Sequence, residues 1–203
     1  MLEDITLDPR FILDVWFEGG WVMIPLAMLT LFIYYQSTAL IFHLNSARIK
    51  KVKIETWLEW IEHPSRATGY IGEVIHYVIV RGFDDKVILK RVEEIKESIL
   101  SDVNPKIVVL SVLVTVAPLM GLLGTVIGML ATFKALASNA GQTVDMVAEG
   151  VRVALITTQT GLIIAIPGYI LLYAIIKRRN EFIVFLSQLE NFAVQHANKL
   201  KPA

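Results

Sequence analysis

The sequence predicts an all-α membrane protein: three transmembrane helices with cytoplasmic helical extensions, the N-terminus outside and the C-terminus cytoplasmic. Three observations lead there. The 203-residue chain is 55% hydrophobic, with a mean hydropathy of +0.58, well above an ordinary soluble domain. Three stretches are each long enough to cross a bilayer, which takes about 20 apolar residues. Residues 107–133 and 153–176 contain no charged side chain, yet both carry small residues at regular spacing.

Each element can be justified in order. Residues 1–20 form a periplasmic N-terminal segment that is acidic, with Glu3, Asp4, Asp8, Asp14 and Glu18 against Arg10 alone. That charge, and the lack of a small-residue cleavage site after it, argues against a signal peptide. Residues 21–44 make transmembrane helix 1, with no charge between Glu18 and Arg48 except on a protonated His43. Residues 45–106 form a cytoplasmic helical loop. Within it Ile88, Val92, Ile95, Ile99 and Val103 make an apolar stripe, and Lys90, Arg91, Glu93, Glu94, Lys96 and Glu97 mostly take the other face. Pro105 is expected to break or kink the path into the next span. Residues 107–134 are transmembrane helix 2, 135–151 a periplasmic link, 152–177 transmembrane helix 3, and 178–203 a cytoplasmic C-terminal helix. In the last, Phe182, Phe185, Leu189 and Phe192 lie on one side, so a bundle below the membrane is expected.

Orientation follows from basic residues near the span ends. Arg48, Lys50, Lys51 and Lys53 follow the first span, and Lys177, Arg178 and Arg179 follow the third. The N-terminus and the 134–152 link carry only Arg10, Lys134 and Arg152.

Several chemistries are excluded. There are no cysteines, hence no disulfide and no thiolate nucleophile. Net charge is zero, which argues against nucleic acid as a partner. His43, His63, His76 and His196 lack metal-ligand spacing. No phosphate loop, nucleophile elbow or catalytic carboxylate pair is present. No catalytic residue, metal site or cofactor is therefore expected, and the chain reads as not an enzyme.

The small residues are more informative. In the second span they are Ala117, Gly121, Gly124, Gly128, Ala131 and Ala135. In the third, with its approach, they are Gly150, Ala154, Thr158, Gly161, Ala165 and Gly168. Both series step by four and three, the spacing of one helix face. A helix that only dissolves in lipid has no use for a smooth stripe, whereas one that packs closely on another helix does. Ala117, Gly121, Gly124, Gly128, Ala154, Gly161 and Ala165 are accordingly the candidate helix-packing residues.

The spans also hold polar residues: Ser111, Thr115, Thr125 and Thr132 in the second, and Thr157, Thr158, Gln159 and Thr160 in the third. Hydroxyls inside helices commonly bond back to the carbonyl three or four residues earlier, and Thr115, Thr132 and Thr157 are expected to do so. Thr125 lies nine residues before Lys134 and Thr158 six after Arg152. Because the two spans run in opposite directions, both threonines sit ~9–14 Å below the outer charge boundary. In a ring of subunits they would form a hydroxyl belt, able to relay protons or help coordinate a cation but not to store charge. Pro118 and Pro167 each remove a backbone hydrogen bond inside a span, giving either a packing kink or a bend that shapes a pore.

Together these residues resemble the ExbB/TolQ/MotA proton-channel family. The strongest likeness runs from Ala117-Pro118 through Gly121, Gly124-Thr125 and Gly128 to Phe133. The second runs from Ala154 through Thr158 and Gly161 to Pro167, and a weaker one is Gly19-Gly20 to Pro25 opening the first span. The resemblance covers nearly the whole chain and is nearest to ExbB and TolQ. It implies a multi-pass protein of the bacterial inner (cytoplasmic) membrane, a motor stator. Its subunit would form a homopentameric collar, in contact with membrane lipid, around two copies of a single-span ExbD/TolR-type partner. It also implies that Thr125 and Thr158 line the ion pathway near the partner's aspartate. One departure stands out: where ExbB and TolQ commonly carry glutamate before the Ala-Leu of the third span, this chain has Val153. Glu149, one turn earlier, either serves from a shifted position or caps the helix end, and Arg152 beside it is a candidate partner. Gln159 is a second candidate accessory to the pathway. A passive oligomeric scaffold that organises envelope partners without conducting ions fits the small-residue stripes equally well. Proton and sodium remain open alternatives, since sodium needs several converging oxygens.

Overall fold

The computed structural model describes residues 16, 18–46, 60, 69–79, 85–138 and 143–200. Among these residues the regular secondary structure is all helix: α1 spans Met23–Ser46, α2 Gly69–Ile79, α3 Asp85–Ser138 and α4 Thr143–Leu200. The acidic run ahead of Glu18, the basic cluster at 48–53 and His63 lie outside the described residues.

α1, α3 and α4 are long and apolar enough to cross a membrane, and only 22%, 28% and 33% of their apolar windows is buried within the chain. The remaining apolar surface requires lipid or other protein around it, as for a multi-pass membrane protein. In a membrane every backbone group must find its partner inside the segment, which is why the spans are unbroken helices. Of the two outcomes expected at Pro105, a break or a kink, the break does not occur. α3 passes through it without ending, because a proline removes one ladder bond, whereas ending the helix there would orphan several carbonyls. α3 likewise continues through Pro118, and α4 through Pro167.

The chain divides into two compact units. One contains the described residues of Met1–Gln36 with Val109–Leu171, the other those of Ser37–Val108 with Leu172–Ala203. The second unit has an aliphatic and aromatic core. Val74, Ile75 and Val78 of α2 meet Ile88 and Val92 of α3 and Phe182, Phe185, Leu186, Leu189 and Ala193 of α4. Both predicted stripes are thus the buried faces, with Ile95, Ile99 and Phe192 partly buried against the same core. Polar contacts fix α2 to α3. Arg91 Nη1 donates to the Tyr77 carbonyl (3.0 Å), its guanidinium sits 5.5 Å from the Tyr77 ring centroid, and Tyr77 Oη donates to Glu94 Oε2 (3.0 Å). Arg179 Nε donates to Asn104 Oδ1 (3.1 Å), tying α4 to α3.

In the first unit, the chain enters α1 through Gly19-Gly20. Gly20 has φ of 69°, a conformation that side-chain-bearing residues avoid. A Cβ on Gly19 would lie 2.5 Å from Met23 Cγ and 3.2 Å from Ile156 Cγ2. The first helical bonds follow at once, Met23 N–H to Gly20 O (3.1 Å) and Ile24 N–H to Trp21 O (3.2 Å).

The aliphatic core of the second unit predicts its own weak point. Leu189 is wholly buried there, so Leu189→Ala should cost about 2–5 kcal/mol. Thermal unfolding of the detergent-solubilised chain should register a clearly lower midpoint, while Val184→Ala, at an exposed position, should leave it in place.

Candidate functional site

The site begins with how closely α3 and α4 approach. They run antiparallel within the first unit, and their small residues meet in register. A Cβ placed on Gly161 would lie 2.8 Å from the Ala117 carbonyl and 3.2 Å from Gly121 Cα. One on Gly121 would meet the Thr157 carbonyl at 2.9 Å and Thr158 Cα at 3.1 Å, and one on Gly128 the Gly150 carbonyl at 3.0 Å. Gly124 faces the Thr157 side chain, with Thr157 Cβ 2.5 Å from its would-be Cβ. Backbone thus meets backbone, as small residues permit in membranes. The predicted packing residues Ala117, Gly121, Gly124, Gly128, Ala154, Gly161 and Ala165 are all buried.

Against that background the hydroxyls separate into two kinds. Thr115 donates to Ser111 O (2.9 Å), Thr132 to Gly128 O (3.0 Å), Thr157 to Ala154 O (2.9 Å), and Thr160 to Ile156 O (2.8 Å). All bond back along their own helix, as expected for Thr115, Thr132 and Thr157. Thr125 does the same, to Leu122 O at 2.6 Å. Thr158 differs: its Oγ1 reaches across to Gly121 O on α3, at 3.3 Å. In the α-helical ladder that carbonyl is also the acceptor for the Thr125 N–H. The two threonines therefore converge on one carbonyl, with Thr158 level with Gly121 and Thr125 about one turn along α3. Both are half-buried, and Gln159 beside Thr158 is exposed.

Glu149 lies elsewhere. It lines a pocket of about 480 Å³ with Asp145, Val153, Ile127 and Ala131, closed by Gly19-Gly20 and the residues that follow them. Thr157 borders this pocket, whereas Thr125 and Thr158 do not. Ile127 follows Thr125 by two residues, a rotation of about 200° on a helix. The pocket and the two threonines accordingly occupy different sides of the α3–α4 pair, and the side that carries the pocket is the one where the chain enters α1. The expected Arg152–Glu149 pairing is not formed. Arg152 Nη2 donates to Glu18 Oε1 at 2.6 Å, because the Gly19-Gly20 turn brings a carboxylate within reach of the guanidinium. Among the described residues no group of three or more metal-ligating side chains occurs.

Sequence reasoning missed one contact. Tyr169 Oη and Thr115 Oγ1 lie 3.1 Å apart, joining the two helices. The available signal was spacing, since Tyr169 follows Thr158 by eleven residues, close to three whole turns.

The profile of the MotA/TolQ/ExbB proton channel family matches residues 67–188, more than half of the chain. The chain is 42% identical over 66 residues to the biopolymer transport protein exbB1 of Vibrio cholerae, covering 32% of this chain and 29% of that protein. It is 36% identical over 113 residues to an ExbB homologue of Methanothermobacter thermautotrophicus (54% and 39%). A biopolymer transport protein ExbB-like 1 of Helicobacter pylori is 36% identical over 84 residues (41% and 44%). The chain thus spans less than half the length of each of these relatives.

The packing predicts an intolerant position. Gly161→Val should force α3 and α4 apart at a cost of about 1–3 kcal/mol or more, seen as loss of a monodisperse peak in size-exclusion chromatography and a lower melting midpoint. Leu162→Ala, one residue away and exposed, should elute and melt like the natural chain.

Proposed function

This chain belongs to the MotA/TolQ/ExbB proton channel family, and from that premise we propose that it is the stator subunit of an ion-motive-force-driven motor. In this reading it forms an oligomeric collar, a pentamer, around two copies of a single-span ExbD/TolR-type partner in the inner membrane. The N-terminus lies outside and the C-terminus in the cytoplasm. Flow of protons or sodium through the collar does work across the cell envelope.

The observation that carries the proposal is the Thr158 hydroxyl donating across to the Gly121 carbonyl, with the Thr125 hydroxyl on Leu122 O about one turn along α3, inside spans without any carboxylate. A charge at the centre of a span costs at least ~2.5–3.5 kcal/mol, and residues 107–133 and 153–176 avoid it altogether. Such a wall can guide an ion and hold water, but it cannot bind and release charge by titration. The titrating group must then come from another chain, and a single-span partner with a membrane carboxylate meets that need. Gln159, exposed beside Thr158, adds an amide that can accept from or donate to the same path. Glu149 and Asp145 bring negative charge to the pocket at the other side of the helix pair, where they would raise the local concentration of cations near the span ends.

The decisive measurement is ion flux in vesicles carrying the complex purified through this chain. Thr158→Val keeps the side-chain volume and removes the hydroxyl. Flux should fall roughly tenfold while the mass of the solubilised complex stays unchanged, and Thr158→Ser should restore it. Wild-type flux in Thr158→Val would refute the threonine pathway. A complex that assembles fully but never conducts, with or without its partner, would favour the passive scaffold.

Glu149→Gln addresses the other side of the pair. If Glu149 contributes to ion entry, the same flux assay should give a reduced rate whose shortfall against the natural chain widens as ionic strength is lowered and shrinks at high salt. An unchanged rate would assign Glu149 to the protein surface.

A further inference from the structure

The hydroxyl-bearing side of the α3–α4 pair extends beyond Thr125 and Thr158. Thr115 Oγ1 and Tyr169 Oη lie 3.1 Å apart, one from each helix, and both residues are exposed. The Thr115 hydroxyl has a single hydrogen, and it is directed at Ser111 O, 2.9 Å away. The contact with Tyr169 therefore has the phenol donating and Thr115 accepting. Both hydrogens are then engaged, and what the pair presents outward is oxygen lone pairs. An acceptor-only site of this kind attracts a cation or the hydrogens of a water molecule and offers nothing to an anion.

Position supplies the second argument. Tyr169 lies eleven residues after Thr158, so the two share a helix face and stand ~16 Å apart along it. Thr115 precedes Thr125 by ten residues, ~15 Å along α3. A pair of oxygens with unfilled acceptor capacity does not belong against hydrocarbon, where uncompensated polar groups are costly. The side of the helix pair that carries it is the side away from the Glu149 pocket.

We propose that the Thr115–Tyr169 pair is a second cation-holding step of the ion path, receiving a hydronium ion or a hydrated monovalent cation on its two oxygens. The inference rests on the channel reading above and places this step on the cytoplasmic half of the path in the predicted layout. The pair is a holding site and not a proton relay: the chain from Tyr169 through Thr115 ends on the Ser111 carbonyl, which has no proton to pass on.

The natural chain contains no cysteine, so single-cysteine variants report cleanly. In membranes carrying the full complex, Thr115→Cys should react with a membrane-impermeant thiol reagent, and Leu113→Cys, two residues away on the opposite flank, should not. In the vesicle assay Tyr169→Phe and Thr115→Val should each lower ion flux about fivefold, the loss expected for one hydrogen-bonding group. Thr115→Ser, which keeps the hydroxyl, should conduct like the natural chain. Equal reactivity at positions 115 and 113, or wild-type flux in Tyr169→Phe, overturns the inference. Absence of flux from the natural complex takes down the channel reading itself, so the two failures are distinguishable.

Discussion

The close approach of α3 and α4 is the constraint on which the rest of the first unit depends. Between helices in lipid there is little hydrophobic force, because the tails are as apolar as leucine, so packing and interhelical hydrogen bonds must hold the pair. Gly121, Gly128, Gly150 and Gly161 bring backbone against backbone, and Gly124 makes room for the Thr157 side chain. The same closeness creates the polar contact at the centre of the site. Thr158 can reach the Gly121 carbonyl at 3.3 Å only because Gly121 has no side chain between the helices. With a longer separation its hydroxyl would bond back along α4, as Thr157 and Thr160 do. Packing and site are thus one feature seen from two directions.

That feature also gives the helix pair two unlike sides. On one, the chain turns through Gly19-Gly20 into α1, Arg152 pairs with Glu18, and a pocket holds Asp145 and Glu149. On the other stand Thr125, Thr158 and the Thr115–Tyr169 contact. A protein whose only task was to dissolve in lipid would have no reason to gather its carboxylates on one side, where Thr132 and Thr157 also lie, and to leave only hydroxyls on the other. Sorting of this kind matches a chain with one side closed by its own structure and another turned to something polar.

Much of this was legible in the sequence, for reasons that differ by region. The spans were visible because the absence of charge over more than 20 residues has few other physical meanings. The stripes at 88–103 and 182–192 were visible because a soluble bundle buries one face at a 3.6-residue period, and Ile88, Val92, Phe182, Phe185 and Leu189 are indeed core. At Pro105 the sequence left a break and a kink open, because proline's local rule does not weigh the several carbonyls that ending α3 there would orphan. Arg152 misled for a reason of its own. Glu149 is its neighbour in sequence, while Glu18, its partner in space, is 134 residues away, and no periodicity encodes a contact set by a turn. Tyr169 lay in between: its eleven-residue offset from Thr158 is readable, but its partner Thr115 depends on the register between two helices, which only the structure supplies.

The lack of a carboxylate in the second and third spans has a physical rationale on the stator reading. Any ionisable group built into this subunit would be repeated in every copy around the collar. Like charges brought close in a poorly screened interior repel strongly, so such a ring would hold most of its members neutral or force the copies apart. Hydroxyls avoid the conflict: they can be repeated without limit because they carry no charge, and their lone pairs still favour a passing cation. Placing the titrating group on a partner present in fewer copies than the collar then sets how many charges the interior holds at once. An acidic residue inserted at Val153 would alter the charge of the whole ring, not of one subunit alone.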